Sequence, residues 1–450
     1  MRISRLCLWS QASCSLLLVI ATASQAAPLD ALSDPPHHAA ERPTSDAAPS
    51  LSLDEAAALS LVDQPILSGH EAVINANERQ AIAAAQLPDP RLSGGLKELP
   101  VDTSEAFSLR RDNFTEFTVG LSQDLPRADK RRLKGERKQL DAETERAALN
   151  NDRRAIRRDA SLAWLDVYAA EQGLALAQKL SAEAALQVQS LEKDYVSGKA
   201  SQADWSAAKV EAGLLGDKEH DWLHQAQRMR AGLARWIGDD AQRPLADALS
   251  LPPPPSALPE LMAAVDHHPV IDGLDTQIEA SATDIALARQ AYKPDFSVEG
   301  YVAYRPGFSD FVGIQVSIGL PYFTKNRQDP ELSAAFERSR ASKDRKRDLL
   351  RELHARVSQD YLDWHHYRER VGEFDTAIIP NAMRRIEEAR GAYQAGRGSF
   401  DAVLLARRSL LDIQLQRLGL AVEAARAQVR LQYFGASQDR PGEHRPGESP

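Results

Sequence analysis

The sequence predicts an α+β fold: long antiparallel helical hairpins carrying a small number of strands, with the whole plan used twice. Three observations lead there. The span between Pro126 and Pro244 holds no proline and is filled mostly by Ala, Leu, Glu, Lys and Arg, the composition of long packed helices. Short segments elsewhere alternate apolar and polar residues with the period of a strand. Finally, motifs recur in the same order at an offset of roughly 200 residues, the mark of an internal repeat.

The chain has 450 residues, enough for two or three ordinary domains or one large repetitive one. Its formal net charge of -9 disfavours a nucleic-acid partner. Residues 1–26 read as a secretory signal. Arg2 and Arg5 supply positive charge, "CSLLLVIATA" a short apolar core, and Ser24–Ala26 the small residues of a cleavage site. The apolar run is well short of the roughly 20 residues a spanning helix needs. Cys7 and Cys14 both lie inside the signal, so the mature chain, starting near Ala27, is expected to be free of cysteine, disulfide and cysteine-linked lipid. Residues 27–50, rich in Pro, Ala, Ser and Asp, read as a disordered leader, and 436–450 as a disordered tail. No other apolar stretch reaches membrane-helix length, so any crossing of a bilayer must use strands.

Two repeats fill the rest, 51–250 and 251–435. "LDEAAALSLVDQP" is echoed by "LPELMAAVDHHP", with Pro65 matching Pro269 and Pro88 matching Pro294. These open helices expected over 52–87 and 258–291. Strand segments follow. In "FTEFTVGLSQ", Phe117, Val119 and Leu121 alternate with Thr118, Gly120 and Ser122. In "DFSVEGYVAY", Phe296, Val298, Val302 and Tyr304 share one face and Ser297 and Glu299 the other. In "FVGIQVSIGL", Val312, Ile314, Val316 and Ile318 alternate with Gly313, Gln315 and Ser317. "RLSGGLKEL" is the weakest strand. Alternation over about ten residues suits a transmembrane barrel and a half-buried soluble sheet alike. A secretory signal and helices too long for a compact domain favour the barrel. Four strands do not close one, so several chains must share it.

The long helices come next. One spans 128–196, about 100 Å at 1.5 Å per residue, and a second spans 326–395 with a bend or interruption near Pro380. Each returns through a shorter helix, 201–237 or 400–434. Leu149, Ile156, Ala163, Ala170, Ala177, Ala184 and Leu191 recur every seven residues, as do Leu350, Val357, Trp364, Val371 and Ile378, which is a coiled-coil seam. At the turns, "YVSGKASQADW" is echoed by "YQAGRGSFDAV": Tyr195 matches Tyr393, Gly198 Gly396, Lys199 Arg397 and Ser201 Ser399. The glycines supply the left-handed residue that ends a helix, and the serines cap the return.

Together, "QLPDP" and "AYKPD" leading into the first strands, "DLPRADKRR" and "LPYFTKNRQ" leaving the second, and the paired "YxxGxxS" turns give a resemblance to the outer-membrane efflux protein family, the TolC-like channels of tripartite pumps. It covers about 51–435, and "AYQAGRGSFDAVLLARRSLLD" looks most like the branch serving heavy-metal and other cation exporters. The resemblance implies a homotrimer in the outer membrane. Each chain would give four strands to one shared β-barrel and its hairpins to a periplasmic α-barrel, docked to a periplasmic adaptor protein and an inner-membrane pump. It also implies that charges just past the turns line a closed periplasmic entrance. Asp204, six residues after Gly198, stands where the pattern expects an acid. In the echo that position is Ala402, and Asp401 lies one place early, turned by about 100°. Lys199 and Arg397 are candidate partners of these acids or adaptor contacts.

Other chemistry is sparse. His267/His268 and His365/His366 are adjacent pairs, whose side chains diverge on a helix, and His37/His38 lie in the leader. No nucleophile triad, phosphate-binding glycine loop, zinc motif or methionine cluster is present, so neither enzyme activity nor a cofactor is expected. The competing classes are a periplasmic adaptor and a coiled-coil structural protein of the envelope, neither of which calls for the duplication with its strands.

Overall fold

The computed structural model describes residues 50–435, apart from 103, 247, 248, 250 and 252. The signal, the leader up to residue 49 and the tail, with Cys7, Cys14, His37 and His38, lie outside the described residues.

Ser52 starts helix α1 (Leu53–Leu59), its hydroxyl accepting the Glu55 N–H at 3.2 Å. The chain turns at Asp63 and restarts on Pro65 as α2 (Pro65–Ala84). The single helix expected over 52–87 is therefore two. Proline cannot donate the hydrogen bond that would continue α1, but it fits the first turn of a new helix. The expected helix over 258–291 breaks in the same way at Pro269, giving α5 (Leu258–Val265) and α6 (Pro269–Gln290).

Strands β1 (Arg91–Lys97) and β2 (Glu116–Leu125) follow α2. Helix α3 (Ala128–Val196) is 69 residues long, about 100 Å, and returns as α4 (Gln202–Ile237). After α6 come β3 (Asp295–Tyr304), β4 (Phe311–Gly319), α7 (Gln328–Glu373), α8 (Ile379–Gln394) and α9 (Phe400–Phe434). The break between α7 and α8 is a widened π turn, Phe374–Ile378, one turn ahead of Pro380. Proline lacks the N–H that would bond four residues back, and its ring crowds that carbonyl; a wider turn relieves both. Arg417 of α9 grips Asp375 in this turn through two hydrogen bonds of 2.9 and 2.8 Å.

The four strands form one antiparallel sheet in the order β1-β2-β3-β4. Val119 lies opposite Val302, and Val302 opposite Val312. Strands β1 and β4 are its edges.

Several clusters of buried side chains hold the helices together. Trp164, Leu165 and Val167 of α3 meet Leu53 of α1, Leu233 of α4 and Val422 and Val429 of α9. Leu261, Ile271, Val357, Trp364, Leu431 and Phe434 join α5, α6, α7 and α9. Leu149 and Ile156, from the seven-residue seam, pack on Leu67 and Ile74 of α2. Where α2 and α6 begin, matched side chains reach matched carbonyls. Gln64 donates to Trp236 O at 3.1 Å, and His268 Nε2 lies 3.2 Å from Tyr433 O. His268 is fully buried. Burial, with Arg154 nearby, lowers its pKa to about 4, so it stays neutral.

His70 behaves in the opposite way. Its Nδ1 lies 2.6 Å from Glu145 and its Nε2 3.0 Å from Asp152, clamping α2 to α3. A neutral imidazole has one N–H, so satisfying both carboxylates requires the cation. Burial lowers the pKa, but the bonds to Asp152 and Glu145 outweigh it and hold it above 6.5. The clamp is then complete below pH 6.5 and is lost as pH rises through the raised value. We expect His70→Leu to cost about 2 kcal/mol in acid and progressively less as the pH is raised, read as the gap in unfolding midpoint between variant and parent. A gap independent of pH would contradict the charged clamp.

Candidate functional site

Both hairpin tips are built by backbone bonds that need one left-handed residue. At the first, Gly198 (φ 74°) donates to Tyr195 O at 3.0 Å and Lys199 to Asp194 O at 2.8 Å. At the second, Gly396 (φ 68°) donates to Tyr393 O and Arg397 to Ala392 O, each at 2.9 Å. This paired closure satisfies the last carbonyls of α3 and α8.

The return helices differ. Ser201 Oγ accepts the Asp204 N–H at 3.1 Å, while the Ser201 N–H and hydroxyl donate to the Asp204 carboxylate at 3.2 and 2.7 Å. Asp204 is thus the far half of a capping box. Sequence reading placed Asp204 by its distance from Gly198 and missed this role, although Ser and Asp three apart at a helix start are its signal. At the other tip Ser399 accepts the Ala402 N–H at 3.3 Å, with no carboxylate to return the bond. Asp401 is exposed.

The tips also meet each other. Tyr195 stacks on Trp205 with centroids 5.5 Å apart, and Tyr393 tilts against Phe400 at the same separation. Phe400 is buried against Leu191 and Ala208 of the first hairpin. Burial, then the charges of Asp204 and Asp194, raise the pKa of the Tyr393 phenol. The Asp204 carboxylate, held on Ser201, is thus within electrostatic reach of the second hairpin. Lys199 and Arg397 are exposed, and neither forms an ion pair among the described residues.

At the far end of α3 the sheet reverses the usual pattern of burial. Leu92, Val312 and Ile314 are 79, 81 and 79 % exposed, and Val119, Leu121, Val302, Val316 and Ile318 are exposed on the same face. Thr118 and Ala303, on the other face, are 7 and 0 % exposed. A continuous apolar face of this extent needs a non-aqueous surrounding. The second face carries Ser93, Tyr301, Glu299 and Gln315. The basic run after β2 is largely engaged within the chain: Lys130 with Asp295, Arg137 with Asp284, and Arg132 with Glu136 at 2.8 Å.

No group of three potential metal ligands occurs among the described residues. His267, His365 and His366 are exposed. No described helix is long and apolar enough to cross a membrane.

No protein-family model matches the chain, and no curated protein sequence matches it. Solved structures do. A membrane protein from Pseudomonas aeruginosa is 18% identical, with 85% of this chain and 90% of that one covered and a TM-score of 0.74. CusC, described for transmembrane channel formation, is 16% identical, with 86% and 93% covered and a TM-score of 0.74. The outer-membrane channel OprN is 16% identical, with 85% and 89% covered and a TM-score of 0.69. At such identities the likeness establishes the fold, which is that of the TolC-like channels.

Proposed function

We propose that this chain is the outer-membrane exit channel of a tripartite efflux pump. Three copies would each give four strands to one barrel, β4 of one pairing with β1 of the next, and their hairpins to a periplasmic tunnel. The observation that carries this reading is the sheet: apolar face exposed on all four strands, polar face shielded on β2 and β3, both edges open, mounted on a helical body whose longest helix runs about 100 Å. A closed barrel is the strand arrangement that satisfies every backbone group in lipid. The matched order of elements in 51–250 and 251–435 supports a duplication, with two similar units per chain placed around the pore. The protein acts as a passive conduit without catalysis, and an adaptor and an inner-membrane pump supply cargo at the hairpin end. The acidic net charge of -9 and the second hairpin's resemblance to cation exporters support metal cations as cargo. Loss of the gene should then sensitise cells to metal ions, and sensitisation to organic dyes alone would overturn that cargo.

At the entrance, Asp204 would act with Asp401, Lys199 and Arg397 as the charged constriction. Purified protein should be a trimer that raises planar-bilayer conductance; a monodisperse monomer that forms no pores would overturn the channel. In the same assay Asp204→Ala should raise single-channel conductance and weaken block by multivalent cations. The lost cap costs about 1 kcal/mol, so Asp204→Asn, which keeps an oxygen for Ser201, separates charge from capping. Unchanged block in both variants would reduce Asp204 to a helix cap.

A further inference from the structure

The polar face of the sheet carries several charges, and most are compensated within the chain. Arg91 pairs with Asp124, and Asp295 with Lys130. Lys97 stands opposite Glu116 at the end of the strands nearest the β1–β2 loop, with its ammonium 5.1 Å from the Tyr301 ring centre and no ion pair to Glu116 among the described residues. Arg305 donates to Ser309 O and Asn113 O and lies 3.8 Å over the Phe311 ring. Glu299 differs. It sits midway along β3, with Ser122 opposite on β2 and Gln315 opposite on β4, and forms no ion pair among the described residues.

Its carboxylate has a defined seat. Glu299 leans across β2 and accepts the Ser93 hydroxyl on β1 at 3.1 Å. The path passes over Gly120. A Cβ there would lie 2.8 Å from Glu299 Oε1, 2.9 Å from Ser93 Oγ and 3.2 Å from Tyr301 Cβ. Two small residues on two strands thus make room for one side chain on a third, and neither neutralises it.

We propose that Glu299, seated over Gly120, is the cation-selecting carboxylate of the strand-lined part of the pore. The inference rests on the channel reading above, which makes the polar face the lumen wall. Rotational symmetry then sets one Glu299 carboxylate per chain at a single height midway along the strands. A ring of carboxylates inside a low-dielectric wall concentrates cations and repels anions. It is separate from Asp204, which lies at the other end of α3. Because the lumen of a shared barrel is wide, screening limits the effect. The Debye length is about 10 Å at 0.1 M salt and about 3 Å at 1 M, so selectivity from this ring should be strongest in dilute salt.

The test is the reversal potential of purified channels in a planar bilayer under a potassium chloride gradient. Glu299→Gln should lower the potassium-to-chloride permeability ratio by about twofold near 0.1 M salt and by less near 1 M. Glu299→Lys should lower it further. Gln315 is the cross-strand neighbour on the same face, so Glu299→Gln with Gln315→Glu returns the charge to the same height. That double variant should recover the parent's ratio, which a merely structural role would not do. Conducting Glu299→Gln channels with the parent's reversal potential would overturn the role of Glu299 and leave the channel intact. A parent protein that forms no pore would overturn both.

Discussion

On the channel reading, Ile314→Lys should abolish recovery of assembled protein from the outer membrane. Ile314 is 79% exposed at the centre of β4, and its cross-strand neighbour on β3 is Gly300, which has no side chain to shelter it. A lysine at the bilayer midplane on the lipid face of a barrel costs about 2–4 kcal/mol, and a shared barrel would carry that cost in every chain. The neighbouring Gln315→Lys changes charge equally but points to the polar face, and it should assemble. Membrane fractionation, with a count of the heat-resistant oligomer, reads the difference. Equal assembly of both variants would mean that the apolar face does not meet lipid.

Trp164→Ala should produce the largest loss of stability in the helical body. Trp164 is 1% exposed where α1, α3, α4 and α9 converge, stacked on Tyr168 at 5.4 Å. Truncating a buried tryptophan costs about 3–5 kcal/mol through lost transfer energy and the cavity left behind. The indole N–H also donates to Leu51 O at 3.1 Å. Leu51 enters a parallel bridge with Leu245, so the variant loosens the chain entering α1 as well as the core. Thermal unfolding followed by circular dichroism should move down by several degrees, with Trp164→Phe recovering part of the loss. An unchanged midpoint would show that the junction is not a stabilising core.

The hairpins were legible because their chemistry is local. A glycine that tolerates positive φ and a serine three residues later specify a turn without help from the rest of the chain. The length of α3 was legible because no proline breaks the chain between Pro126 and the turn at Gly198. The bend in the second long helix was visible as Pro380, but its form, a π turn held by Arg417, depends on a partner 42 residues away. His70 escaped notice for the same reason: its carboxylates lie 75 and 82 residues along the chain. At the tips, the capping role of Asp204 was written in the Ser201–Asp204 spacing. Its electrostatic effect on Tyr393 was not, because that requires the two hairpins to pack together.

The sheet shows most clearly what each level decided. By itself the sequence determined which strand residues share a face, since side chains alternate with period two whatever surrounds them. It could not determine which face is shielded, because alternation reads the same in a soluble sheet as in a barrel wall. The tertiary structure decided that by joining β2 to β3, residues from opposite halves of the chain, and turning Thr118 and Ala303 inward while Val312 and Ile314 stay exposed. The physical reason is that periodicity is a property of the backbone, whereas inside and outside are properties of the medium each face meets.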